Sequence, residues 1–165
     1  MDAELPEPSA DEAAHSARLA EAIRGEIGTA GPMSFARFME RCLYAPGLGY
    51  YSAGRRKFGR AGDFVTAPEL GALFARCVAR AMAPALRACG AEAAWFELGG
   101  GSGAFARDCL LELQALDALP KHYWLLEPSA DLRERQEEAL RAVLPAELFA
   151  RCAWLDRPPQ HAWSG

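Results

Sequence analysis

Apolar residues along this chain recur with two different periods, and the change between them divides the sequence. Leu19, Ile23 and Ile27 stand four apart, the spacing of one helix face, so Ser16 to Ile27 is predicted as a helix that Gly28 and Gly31-Pro32 end. Ser34 then caps a second helix with Phe35, Phe38, Met39, Cys42 and Leu43 on its apolar face, and Pro46-Gly47 stops it. The longest periodic run is Leu70, Leu73, Phe74, Cys77, Val78, Ala81, Met82, Ala85, Leu86 and Cys89, read as a core-facing stripe. Pro84 inside it predicts a kink or a break. Thr66-Ala67-Pro68-Glu69 ahead of that run fits a capping box, with Thr66 accepting from a backbone N–H and Glu69 reaching back.

Beyond residue 90 the rhythm becomes strand, loop, helix. Ala93 to Leu98 and His122 to Glu127 are short apolar runs that carry an acid at or near their ends, and Cys152 to Leu155 is a third candidate strand. Phe105, Cys109, Leu110 and Leu113 line the helix after the first run, and Pro128-Ser129 starts a helix carrying Leu132, Gln136, Ala139, Leu140 and Val143. This order is β-α-β-α-β, the opening half of a parallel α/β sheet. The organisation expected is an acidic disordered tail over 1–15, a helical extension over 16–90 and the sheet over 91–165.

Composition narrows the function classes. The chain has 165 residues, 51% hydrophobic and 24% charged, so it forms a core. A net charge of −4 argues against a nucleic-acid partner held by phosphate attraction, and no apolar run approaches a membrane span. Five cysteines without a CxxC pair read as reduced small hydrophobes, and no metal site is expected. The N-terminal acids lack the look of a cationic leader, so a cytoplasmic protein is expected. Between Gly47 and Asp63 lie glycines, aromatics and the basic residues Arg55, Arg56, Lys57 and Arg60, read as a solvated loop tip or a contact for an anionic partner.

The chemistry concentrates at Gly99-Gly100-Gly101-Ser102-Gly103, between the first strand and its helix. Such a turn lets backbone approach a ligand and aims helix N-terminal N–H groups at it. Gly99-x-Gly101-x-x-Ala104 also fits the dinucleotide fingerprint, a weak signal by itself. Glu127, 28 residues after Gly99, stands where a carboxylate accepts ribose hydroxyls. Glu97, two residues before Gly99, disfavours a diphosphate and suits a ligand with a cationic centre.

Glu97-x-Gly99-x-Gly101-x-Gly103 resembles motif I of class I S-adenosylmethionine-dependent methyltransferases. With Gly49-Tyr50-Tyr51 and Gly62-Asp63-Phe64-Val65-Thr66-Ala67-Pro68-Glu69 upstream, the chain from about Gly31 to Trp154 resembles the MidA-type family, the mitochondrial complex I assembly methyltransferases and their bacterial relatives. One departure is Gly100, where that family often has proline. The resemblance implies a Rossmann-like class I methyltransferase fold with a helical N-terminal extension. It implies S-adenosyl-L-methionine as cofactor, with Gly99, Gly101 and Gly103 around the methionine part, Glu127 on the ribose, and Glu97 holding the loop or the amino group. The Thr66 block would pack over the cofactor, and the acceptor would be a protein arginine, with a respiratory complex I subunit as one candidate. Asp63 and Glu69 are the candidate catalytic carboxylates for orienting a guanidinium. Thr66 and Glu69 equally fit the cap alone, and Tyr50 and Tyr51 fit core packing as well as a pocket. Three strands leave a parallel sheet open at an edge, so the chain is expected to be the first part of a longer protein. The competing readings are a nicotinamide or flavin dinucleotide domain and a non-catalytic assembly factor that keeps the fold.

Overall fold

Ser9 starts the first helix earlier than its apolar spacing indicates. Its hydroxyl accepts from the Glu12 N–H at 3.3 Å while its own N–H donates to Glu12 Oε2 at 2.8 Å, a complete capping box. Helix α1 therefore runs Ala10–Ala30, and residues 10–15 are helical rather than part of a disordered tail. The computed structural model describes residues 7–54 and 65–158, which fall in two units, Met1–Arg55 and Arg56–Gly165. Asp63 and the basic residues Arg55, Arg56, Lys57 and Arg60 lie outside the described residues.

In the first unit α1 is followed by α2, Phe35–Tyr44, whose N-cap Ser34 accepts from the Arg37 N–H at 3.2 Å. Glu26 joins the two helices by pairing with Arg37 at 2.7 Å and with Arg41, which holds its carboxyl below the usual range. Tyr50 and Tyr51 sit in a 3-10 turn, with Tyr51 stacked on Tyr44 at 5.6 Å and edge-on to Tyr50 at 4.9 Å.

The second unit holds α3 (Ala67–Leu70), α4 (Leu73–Cys89), β1 (Ala94–Leu98), α5 (Ala104–Ala115), β2 (His122–Leu126), α6 (Ala130–Val143), α7 (Ala146–Phe149) and β3 (Cys152–Leu155). The strands form a parallel sheet in the order β1-β2-β3, in agreement with the expected α/β class. Register places Trp95 beside Tyr123 and Glu97 beside Leu125. Tyr123 in turn faces Cys152, and Leu125 faces Trp154. Alternation puts these six side chains on one sheet face. Tyr123 and Leu125, from the middle strand, are fully buried in one core with Cys109, Leu110 and Leu113 of α5 and Leu140 of α6.

Two expectations change here. The extension does not end at residue 90: α4 shares the core of the sheet unit. The fully buried face of α4 also coincides with the apolar stripe only at Leu86. Ala75, Ala79 and Ala83 are buried, while Leu73, Phe74 and Met82 are exposed. Small residues four apart let α4 approach α5 closely, and Arg76 and Arg80 then reach the nearly buried Glu112 of α5. Gly71, at φ 148°, separates α3 from α4, whereas α4 continues through Pro84.

Candidate functional site

The turn from Gly99 to Gly103 connects β1 to α5 at the carboxyl end of the sheet. Gly99, Gly101 and Gly103 have φ of 71°, 56° and 83°, a region that side chains disfavour. The Gly99 N–H donates to the Leu126 carbonyl at 2.9 Å, which ties the turn to the end of β2. At Gly100 the constraint is space instead: a Cβ there would stand 2.9 Å from Leu125 Cδ2 and 3.3 Å from Gln136 Nε2, so those side-chain ends would have to shift to admit one.

Glu97 reaches this turn from β1. Tyr123 donates its hydroxyl to Glu97 Oε2 at 2.6 Å. Burial nevertheless pushes the Glu97 carboxyl up to about 7, the tyrosine bond offsetting part of that shift. The same burial raises the Cys109 thiol to about 12 and the Cys152 thiol to about 11, so both are neutral neighbours.

Glu127 follows β2 and is only 4% exposed. Its Oε1 accepts from the Ser129 N–H at 3.0 Å and its Oε2 from Gln136 Nε2 at 3.4 Å. Burial raises its pKa, while the Ser129 and Gln136 bonds and the Arg133 charge act the other way. Gln136 is fully buried, donates also to the Gly101 carbonyl at 3.0 Å, and accepts from Trp154 Nε1 at 3.0 Å.

Glu69 does not close the capping box. Thr66 makes no side-chain cap bond, and the Glu69 carboxylate accepts instead from the Ser102 hydroxyl in the glycine turn. That bond draws α3 onto the turn. A cavity of about 180 Å³ results, lined among others by Thr66, Glu69, Glu97, Gly99 and Gly101. A second cavity of about 350 Å³ lies against Glu69, Ser102, Gly103 and Arg107. Of the site residues named from sequence, Thr66, Glu69, Glu97, Gly99 and Gly101 meet at the first cavity and Gly103 at the second; Glu127 lines neither.

The described lining of the first cavity carries two carboxylates and no lysine or arginine. That donor set suits a ligand with positive charge and is poorly matched to a diphosphate. The model of the S-adenosyl-L-methionine-dependent methyltransferase family matches residues 77–163. The chain belongs to this family. Among relatives of this chain is the mitochondrial protein arginine methyltransferase NDUFAF7 homolog of Drosophila melanogaster, 37% identical over 65% of this chain and 25% of that protein. The human protein arginine methyltransferase NDUFAF7 is 32% identical over 67% of this chain and 26% of its own length. A solved structure from Burkholderia thailandensis, bound to S-adenosyl-homocysteine, superposes with TM-score 0.80 and 46% identity over 96% of this chain and 42% of its own. The chain thus spans about a quarter of the length of the curated relatives it matches.

Sequence reasoning did not single out Tyr123, Ser102, Gln136 or Trp154. Gln136 had a readable signal, since a glutamine in the apolar face of a helix needs buried partners. Ser102 had none, because its partner Glu69 lies 33 residues away.

Proposed function

We propose that this chain binds S-adenosyl-L-methionine over the Gly99–Gly103 turn and that the protein transfers its methyl group to a protein arginine. The observation that carries the reading is the joining of a left-handed glycine turn to a cavity with two carboxylates and, among the described residues, no cationic side chain. The names of the NDUFAF7 relatives and the ligand in the Burkholderia structure support it.

Gly99, Gly101 and Gly103 would hold the methionine part, Glu97 its ammonium, and Glu127 the ribose hydroxyls, with Thr66 closing over them. When bound, the cofactor supplies an electrophilic methyl group on a sulfonium. The protein's contribution is placement and electrostatics. Glu97, in the lining of the cavity, would meet the positive charge of the ligand, and α3 is tied to the turn through Glu69 and Ser102. Glu69 remains a candidate for orienting an acceptor guanidinium, and so does Asp63 from its position in the sequence. A subunit of respiratory complex I, the acceptor the family resemblance implies, is the first to assay.

Calorimetry on the full-length protein with S-adenosylhomocysteine and with NADH tests the cofactor. Binding of the first alone is expected, and binding of NADH alone would replace the reading with a dinucleotide domain. Mass spectrometry of candidate acceptors after incubation with the cofactor tests the transfer: a mass gain on arginine is expected. Cofactor binding without transfer to any candidate would favour a scaffold.

A further inference from the structure

The side-chain amide of Gln136 has only one chemically consistent orientation. An indole N–H donates and never accepts, so the Gln136 oxygen must face Trp154 Nε1, 3.0 Å away. Its NH2 group is then directed at two acceptors, the Gly101 carbonyl at 3.0 Å and Glu127 Oε2 at 3.4 Å. The Ser129 N–H holds the other oxygen of Glu127 at 3.0 Å. With a donor on each oxygen, the carboxylate cannot turn about its last bond without losing one of them. Each oxygen keeps one further acceptor direction. The same amide group grips the glycine turn, so one fully buried side chain sets the spacing between turn and carboxylate.

We propose that Gln136 is a positioning residue for recognition of a vicinal diol: locked by Trp154, it fixes Glu127 relative to Gly101 so that both carboxylate oxygens meet adjacent hydroxyls. The proposal rests on the reading that the ribose of S-adenosylmethionine is held by Glu127. A residue that merely filled core space would affect every ligand of the site alike. A residue that positions Glu127 weakens the hydroxylated ligand more than one that lacks a hydroxyl.

The test compares S-adenosylhomocysteine with its 2′-deoxy analogue by calorimetry on the full-length protein. The wild type is expected to prefer the hydroxylated ligand by about tenfold or more, the value of one charge-assisted bond. Gln136→Met keeps the volume and removes both donors. It is expected to reduce that preference to under about threefold, the lost bond to the Gly101 carbonyl lowering affinity for both ligands by a common factor that the ratio removes. Trp154→Phe, which frees the amide to rotate, should give an intermediate preference and serves if the methionine variant does not fold. An unchanged preference in the folded variant overturns the proposal. So does an equal loss for both ligands. Failure of the wild type to bind S-adenosylhomocysteine overturns the functional reading and this inference with it.

Discussion

Tyr123 donates to the Glu97 carboxylate at 2.6 Å from the adjacent strand, yet the carboxyl still titrates near 7 because burial outweighs that bond. Below about pH 4.5 the group is protonated in both folded and unfolded chains and costs nothing. As pH rises, the unfolded chain ionises first and the native site holds its proton until about 7. Stability therefore falls across this window, by at most about 3 kcal/mol from this group. Glu97→Gln should remove the loss, making the variant more stable than wild type at pH 8 and equal to it at pH 4. On the proposed reading the same variant should also bind S-adenosylmethionine more weakly above about pH 7, where the wild-type side chain is an ionised carboxylate. Urea melts across this range, paired with calorimetry, check both halves. Identical pH slopes for the two proteins would refute the account.

The Ser102–Glu69 bond gives a second expectation. A hydrogen bond to a charged group contributes about 1.5–3 kcal/mol, less where water competes. Ser102→Ala should release α3 from the glycine turn, raise amide exchange at Glu69 and Leu70, and weaken cofactor binding about tenfold. The global melting temperature should move little, because α3 contributes no buried residue. Glu69→Gln keeps an acceptor oxygen and should fall between the two. Unchanged exchange in Ser102→Ala would show that the bond does not hold the segment.

These two pairs also mark where sequence pattern informs and where it stops. Strands β1, β2 and β3 were legible because four to six apolar residues bounded by turn formers have few alternatives. The glycine turn was legible because left-handed backbone selects glycine at 99, 101 and 103. Thr66 and Glu69 fit a capping box locally, but the carboxylate went to a hydroxyl that folding brings close from 33 residues away. The buried face of α4 was misread for a related reason. Periodicity weights large apolar residues, whereas close packing against α5 selected Ala75, Ala79 and Ala83. Gln136 kept the spacing of its apolar neighbours, and only its partners reveal what it does.

Gly100 and Gly101 should fail for different reasons when substituted. Gly101 has φ 56°, so Gly101→Val forces a β-branched residue into a conformation it strongly resists, and cofactor binding should be abolished. Gly100 lies outside that region, and its new Cβ would meet Leu125 Cδ2 at 2.9 Å. Gly100→Ala should therefore cost about 1–3 kcal/mol by overpacking. Trimming the obstruction with Leu125→Val should make the alanine nearly harmless relative to the Leu125→Val background. Denaturant melts of the two singles and the double measure that coupling. Additive costs would mean that space is not what selects glycine at this position.

The ion pairs between α4 and α5 should respond asymmetrically. The Glu112 side chain is 9% exposed, whereas Arg76 and Arg80 are 61% and 67% exposed; Arg80 lies 2.6 Å from the carboxylate and Arg76 3.6 Å. Removing the two arginines leaves a carboxylate in the interface without its counter-charges, an arrangement that costs about 3–5 kcal/mol when a buried pair is broken. Removing the glutamate leaves two guanidinium groups that water already solvates. Glu112→Met, similar in length and apolar, should therefore change stability by under about 1 kcal/mol. The Arg76→Ala, Arg80→Ala double variant should lose about 3 kcal/mol and recover most of it when Glu112→Met is added. Equal destabilisation by the double arginine variant and by Glu112→Met would mean that the pair's mutual attraction, rather than burial of one partner, dominates this contact.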